Sequence, residues 1–177
     1  MNDEYRQLHE LLVHTSYIYF MYSKEERSRL NTLFWTSFGK YMGNRHRSVS
    51  NHKVKWVNYK TGVSHIYFRL YADHSNAVIS IDIQHKDEGI RELFLEQFIQ
   101  LKGVLHGKLG EEWQWQKEAK TESGQSICRI CTNLSGKSVY KKSDWNNIFQ
   151  FFEHRMVALD SFWEEFKDIF VLSLIHI

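Results

Sequence analysis

The chain has 177 residues, which indicates one domain with enough length to bury a core without disulfides or metals. Aromatic residues make up 15% of it, which excludes a disordered chain, and the formal charge of +2 neither favours nor excludes nucleic acid. No apolar run reaches transmembrane length, and no signal-peptide pattern opens the chain. We therefore expect a cytoplasmic protein.

The N-terminal part contains two candidate helix starts. Residues 1–20 have apolar positions suited to a short helix but no clear cap, so we interpret them as a doubtful extension, with Met21 as a candidate first residue. Ser23 and Glu26 have capping-box spacing, in which each side chain binds the other's backbone amide. The first principal helix is predicted from there to about Met42.

Residues 53–86 organise the predicted fold as three short strands joined by turns at 60–62 and 73–76. The second turn would pair Ala72 with Ala77. Alternate side chains of a strand point to opposite faces, so one face of this meander is apolar and the other is basic and aromatic. Both turns keep this parity across the sheet, which favours the predicted register.

Two more strands and two more helices follow. A second helix is predicted from Asp87 to Gly107 or Gly110, a fourth strand from Trp113, and a fifth over 126–132. The last helix carries a long aromatic stripe. The sequence therefore predicts an α+β domain in the order α-βββ-α-ββ-α, with a mainly antiparallel five-stranded sheet and three principal helices.

The two cysteines, Cys128 and Cys131, have C-x-x-C spacing within the fifth predicted strand. Residues three apart on a strand face opposite sides, so the two thiols cannot hold one ion together. We interpret them as buried structural thiols.

The C-terminal string LSLIHI, residues 172–177, breaks the amphipathic pattern before it and matches one translated frame of a transposon-end sequencing adapter. We interpret these residues as a non-native tail. The predicted domain then covers residues 21–171.

Several segments together resemble one uncharacterised bacterial family, a domain of unknown function found as short single-domain proteins. They are MYSKEE (21–26), FWTSFGKYM (34–42), WVNYKTGVSHIYFRL (56–70), LFLEQF (93–98), LGEEWQW (109–115) and ALDSFW (158–163). A similar domain follows nuclease-like domains in longer bacterial proteins, so the resemblance implies DNA-related work. It implies no catalytic residues.

A nuclease of the restriction-endonuclease-like type is the enzymatic alternative, because such folds use a similar element order. That chemistry needs an acid on the second strand and an acid-x-lysine on the third, to hold Mg²⁺. Asp82 occupies the third-strand position, but Gln84 stands where the lysine belongs, and Asp73 lies in a turn. A simpler interpretation makes Asp82 a cross-strand partner of Lys55 or Tyr67.

No other motif indicates chemistry. Residues 135–138, SGKS, resemble the end of a phosphate-binding loop, but its first glycine is replaced by Cys131 and the next helix starts too late. The ten histidines are scattered without metal-ligand spacing. We expect no cofactor and no metal, and an enzyme is the less favoured class.

The basic and aromatic face of the meander is the candidate binding surface. Cations interleaved with aromatics on an open sheet can stack bases and neutralise phosphates, or can hold a protein partner. The alternative is that the last helix covers this face and buries its tyrosines. The predicted function is a non-catalytic interaction domain with a protein or nucleic-acid partner and no membrane contact. The candidate binding residues are Lys53, Lys55, Tyr59, His65, Tyr67, Arg69 and Tyr71.

Overall fold

A computed structural model describes residues 22–49 and 54–175 of the chain, with side chains described up to residue 172. Residues 1–21 lie outside this range, and the interpretations of them and of residues 172–177 stay predictions. The helices are α1 (Lys24–Arg45), α2 (Glu88–Gln100), α3 (Lys102–Leu109) and α4 (Trp145–Ile175), and the strands are β1 (Ile66–Ala72), β2 (Asn76–Ile83), β3 (Gln114–Lys120) and β4 (Ser126–Ser135).

The strands form one antiparallel sheet in the order β1-β2-β4-β3. The register of the central hairpin is as predicted, with Ala72 opposite Ala77 and Ile66 opposite Ile83. It was predictable because one face is buried, and a slip by one residue would turn every isoleucine of β2 away from the core. The capping box at the start of α1 is also confirmed, since Ser23 and Glu26 bind each other's backbone amides.

The prediction of five strands is wrong, because residues 54–59 form no strand. Trp56–Asn58 is a 3₁₀ turn, and Trp56 is buried in the core. Gly62 and His65 then have positive φ angles of 76° and 70°, so the chain turns twice before β1 begins. The core accommodates Trp56 by a turn under α1 rather than by an extended strand beside β1.

The prediction of three principal helices is also wrong. The expected second helix is interrupted at Leu101, whose ψ of 4° departs from helical geometry, so that α2 ends at Gln100 and α3 begins at Lys102. Gly110, with φ 71°, ends α3 in the left-handed conformation that the sequence favoured. With α1 and α4, the described chain has four helices.

The described helices share one apolar core on one face of the sheet. Trp163 of α4 meets Phe68 of β1 edge-on, with ring centroids 5.4 Å apart, and stacks against Phe98 of α2. Phe152 of α4 packs against Phe38 of α1 in the same core. None of the described helices is long and apolar enough to cross a membrane.

The connection between α1 and β1 is tied to α4 at three levels along that helix. Glu153 binds His46, Asp160 accepts hydrogen bonds from the Val49 amide and the Tyr59 hydroxyl, and the Trp163 indole donates to the Thr61 carbonyl. Because each α4 side chain is buried, these bonds fix the connection against the helix.

Candidate interaction surface

The face of the sheet opposite the helices carries mainly polar side chains, and we call it the polar face. Strand parity and register place on it Tyr67, Arg69, Tyr71, Val78, Ser80, Asp82, Gln114, Gln116, Arg129, Cys131 and Asn133. The described last helix packs on the other face, so it does not bury the tyrosines of β1. The alternative of a face covered by that helix is therefore excluded.

Three of the candidate binding residues lie together on this face along β1. Arg69 is exposed, Tyr71 is 46% exposed, and Tyr67 is half-buried. The guanidinium carbon of Arg69 lies 4.4 Å from the centre of the Tyr67 ring, a cation–π contact that orders the arginine without neutralising it. The three side chains present two aromatic rings and one positive charge to solvent.

Tyr71 donates its hydroxyl hydrogen to Asp73, at 3.2 Å. Partial burial of the ring and the Asp73 carboxylate raise the pKa of Tyr71 to about 12. Its hydroxyl therefore stays protonated near neutral pH, and because its hydrogen is donated to Asp73, its oxygen can accept a hydrogen bond from a partner.

Asp82, in the middle of the polar face, is 1% exposed and forms a two-pronged ion pair with Arg129 of β4, at 2.8 and 2.7 Å. The expectation that Lys55 or Tyr67 would be the partner of Asp82 is therefore wrong. With no strand at 53–59, Asp82 finds its cation on its other neighbour, β4. The hydrogen bonds that Arg129 donates to Asp82 raise the pKa of Arg129 despite its partial burial, so both side chains stay charged.

The two carboxylates of the nuclease alternative lie apart. Asp73 accepts from the backbone amides of Ser75 and Asn76, at 2.7 and 2.8 Å, and so stabilises the β1–β2 turn. Asp82 is six residues further along β2 than Asn76, a separation of about 20 Å at the rise per residue of a strand. Arg129 already occupies both oxygens of Asp82, and no group of three or more metal-ligating side chains occurs among the described residues. The geometry gives the nuclease alternative no support.

The remaining candidates are placed apart from this cluster. His65 precedes β1 and packs edge-on against His85, with ring centroids 4.5 Å apart. Lys55 is exposed at the start of the 3₁₀ turn, and Lys53 lies outside the described residues. Tyr59 stacks on Phe68 on the helix side of the sheet, 5.1 Å between centroids.

Tyr59 contributes to the structure instead. Its hydroxyl donates to Asp160 at 2.7 Å, and burial together with that carboxylate raises the pKa of Tyr59. Strand parity placed Tyr59 on the same face as Tyr67 only if residues 53–59 form a strand. Because residues 54–59 form none, the Tyr59 ring lies on the helix side of the sheet.

The structure also reveals a groove that the sequence interpretation missed. It has a volume of about 580 Å³ and lies beside β1. Consecutive residues 67–70 line it, although their side chains alternate between the two faces, so the groove must run along the outer edge of the strand. Residues 57–64 form its opposite wall, with Trp35 of α1 at the side.

The sequence interpretation missed the groove because it predicted a strand at residues 53–59, which would have paired with β1 on the side where the groove lies. Thr61-Gly62 marks the first turn in the sequence, but the second turn, at Ser64-His65, contains no glycine or proline that would have indicated it.

The two cysteines lie as predicted, on opposite faces of β4. Cys128 is opposite Ile83 on the core side, and Cys131 is opposite Ser80 on the polar face. Both are free and buried, and burial raises the pKa of each thiol. Neither is a reactive thiolate near neutral pH.

Comparison with known proteins gives one result. The family model described as "Domain of unknown function (DUF4268)" matches residues 30–167, well over half of the chain. No match was found among the curated proteins or among the solved structures.

Proposed function

Because the chain belongs to the DUF4268 family, a domain of unknown function, we propose a role from the surface itself: a non-catalytic interaction domain that binds a macromolecular partner through the β1 side of the sheet. The observation that carries this proposal is the cluster of Tyr67, Arg69 and Tyr71 on the side of the sheet away from the described helices. Exposed tyrosine and arginine are the residue types that dominate protein interfaces.

Site-specific photocrosslinking tests this role. A benzophenone amino acid replaces Tyr71, and the matched control carries it at Gln150, which is exposed on α4. We expect one reproducible crosslinked species at position 71, absent at position 150 and lost when Arg69→Glu is added. Identical crosslinks at both positions, or none at position 71, would contradict the proposal.

Single-stranded nucleic acid is the second candidate partner, favoured by the alternation of two tyrosines with Arg69 along one strand face. Such spacing suits base stacking next to a phosphate contact. Fluorescent oligo-dT and oligo-U are the probes, at low ionic strength. Arg69→Glu should weaken binding and flatten its salt dependence. A wild-type protein that binds neither oligonucleotide in a salt-sensitive way ends this candidate.

A further inference from the structure

Strand β1 lies at an edge of the sheet that the described strands form, and its outward backbone groups can be identified from the ends of the β1–β2 ladder. The Gln84 amide donates to the His65 carbonyl at 2.8 Å, and the Asp73 amide donates to the Asn76 carbonyl at 2.9 Å. In an antiparallel pair, hydrogen-bonded residues alternate with non-bonded ones. The odd-numbered residues of β1 therefore bond to β2, and the even-numbered residues point their N–H and C=O groups away from it.

The outward groups of Phe68 and Leu70 face the groove. At the start of the strand the Ile66 carbonyl already accepts from the Thr61 hydroxyl, at 2.8 Å, so the groove wall satisfies that position. Among the described residues no hydrogen bond satisfies the outward N–H and C=O groups of Phe68 or Leu70. Among the described residues, the donors and acceptors on this side of β1 thus face the groove without partners.

The charge of the groove is of one sign. Lys60 and Arg69 are the charged residues that line it, both are exposed, and neither forms an ion pair with a described residue. The other lining residues include apolar surface from Trp35, Val57 and Leu70. A ligand that matches this groove therefore alternates apolar and acidic side chains along an extended backbone.

We propose that the domain binds an extended acidic-apolar peptide segment of a partner protein, which adds to the sheet as a fifth strand along β1. The peptide exchanges backbone hydrogen bonds with Phe68 and Leu70, directs apolar side chains towards Trp35 and Val57, and directs carboxylates towards Lys60 and Arg69. Strand addition of this kind takes its affinity from the backbone ladder and its specificity from alternate side chains. The inference deepens the proposed function and rests on it.

Two other occupants fit less well. A second copy paired edge to edge about a two-fold axis would bring the positive charges of one groove against those of the other. A nucleic acid offers phosphate oxygens that only accept hydrogen bonds, and so leaves the outward carbonyls of β1 unpaired. Two cations are also few for a phosphate-tracking groove.

Binding is tested with a fluorescein-labelled hexapeptide that alternates glutamate and valine, measured by fluorescence anisotropy on the full chain. A lysine–valine peptide of the same length tests the charge. A glutamate–valine peptide N-methylated at alternate residues, in each of the two registers, tests the backbone ladder, because one register removes the donors on the docking edge. We expect the glutamate–valine peptide to bind, and the lysine–valine peptide and one methylated register to bind at least about tenfold more weakly.

Variants of the protein locate the site. Leu70→Pro removes an outward N–H, which an edge strand tolerates, and should weaken binding about tenfold while the thermal melt stays cooperative. Lys60→Glu with Arg69→Glu should give a similar loss and a gain for the lysine–valine peptide. Lys120→Glu, an exposed lysine on β3, is the matched control and should change affinity less than about twofold.

The outcomes separate this inference from the proposed function. Equal binding of both N-methylated registers, or an effect of Lys120→Glu equal to that of the groove variants, would overturn strand addition. Binding of oligo-dT but not of the peptide would replace it with a nucleic-acid partner, and a peptide-independent dimer dissociated by Leu70→Pro would replace it with self-association. If position 71 still crosslinks to a partner in these cases, only the edge-strand inference falls. Loss of that crosslink removes the proposed function itself.

Discussion

Strand β3 closes one edge of the sheet with a bulge between Gln116 and Ala119, whereas β1 runs along the other edge for 7 residues paired without interruption to β2. Lys117 on β3 is exposed and forms an ion pair with Glu92 of α2 at 2.6 Å, so this strand is also tied to a helix. Bulges and lysines are common protections against unwanted strand pairing.

The β1 edge has neither a bulge nor a lysine within the strand, and its Arg69 side chain contacts Tyr67 of the same strand. Protein edges without protection are prone to pair with another chain. The difference shows that only part of the β1 edge is protected from pairing with another strand. Thr61 of the groove wall binds the Ile66 carbonyl at the start of β1, whereas the outward backbone groups of Phe68 and Leu70 have no partner among the described residues. Selective exposure is what a strand-addition site requires.

The largest expected effect comes from detaching the groove wall. Asp160 is 1% exposed and accepts from both the Tyr59 hydroxyl and the Val49 amide. Asp160→Ala leaves the half-buried Tyr59 hydroxyl and the Val49 amide without their acceptor, so the free energy of unfolding should fall by about 1–3 kcal/mol. Asp168→Ala, exposed on the same helix, is the control and should stay within about 0.5 kcal/mol. Urea denaturation measures both, and equal losses would contradict the role of Asp160.

A smaller effect is expected from Glu153, which accepts hydrogen bonds from Tyr41 and His46 at the other end of the same connection. Burial acts to raise the pKa of Glu153, but these two hydrogen bonds and nearby positive charge outweigh it, so the pKa lies below its ordinary value. A carboxylate of this kind stabilises the fold fully above its unfolded-state pKa, and the contribution is lost as the pH falls through the lower folded-state pKa.

The wild-type protein should therefore lose stability below about pH 4.3 more steeply than Glu153→Gln does. Denaturation midpoints measured through this acid range test the difference. Glu118→Gln, exposed on β3, should keep the wild-type slope. A Glu153→Gln protein with the wild-type slope would show that this carboxylate contributes nothing to acid stability.

The smallest effect on stability is expected from two glycines with similar backbone geometry, one near each edge of the sheet. Gly62 in the groove wall and Gly124 in the β3–β4 turn have φ angles of 76° and 83°, and a methyl group at either would meet open space. Alanine at each position costs about 1 kcal/mol, because its backbone disfavours the left-handed region. Gly62→Ala should in addition weaken binding of the glutamate–valine peptide, and Gly124→Ala should not. Equal affinities would mean that the wall does not shape the groove.

The parts of the fold that followed from the sequence are those decided by local pattern and parity. The β1–β2 register, the capping box at Ser23 and the opposite faces of Cys128 and Cys131 each depend on residue spacing alone. The order β1-β2-β4-β3 gave Asp82 a partner on β4, which no local pattern could supply.

The errors in the predicted first strand and second helix share one cause. Burial in the tertiary structure, and not the local sequence, decided which conformation these segments adopt. Residues 54–59 have strand-like composition, but burying Trp56 and bonding Tyr59 to Asp160 favour a turn. The break at Leu101 likewise has no glycine or proline at the break itself, and Gly103, two residues later, lies within α3. Three of the seven candidate binding residues, Tyr67, Arg69 and Tyr71, were placed correctly by parity, and the groove beside them was not predictable.

Residue-resolved amide hydrogen exchange on the free protein tests the open β1 edge most directly. The Phe68 and Leu70 amides point away from β2 and should exchange much faster than those of Tyr67, Arg69 and Tyr71, which bond to β2. Alternating fast and slow exchange along β1 is the result we predict. Uniform slow exchange from residue 67 to residue 71 would mean that another strand already covers this edge, and would contradict the proposed docking site.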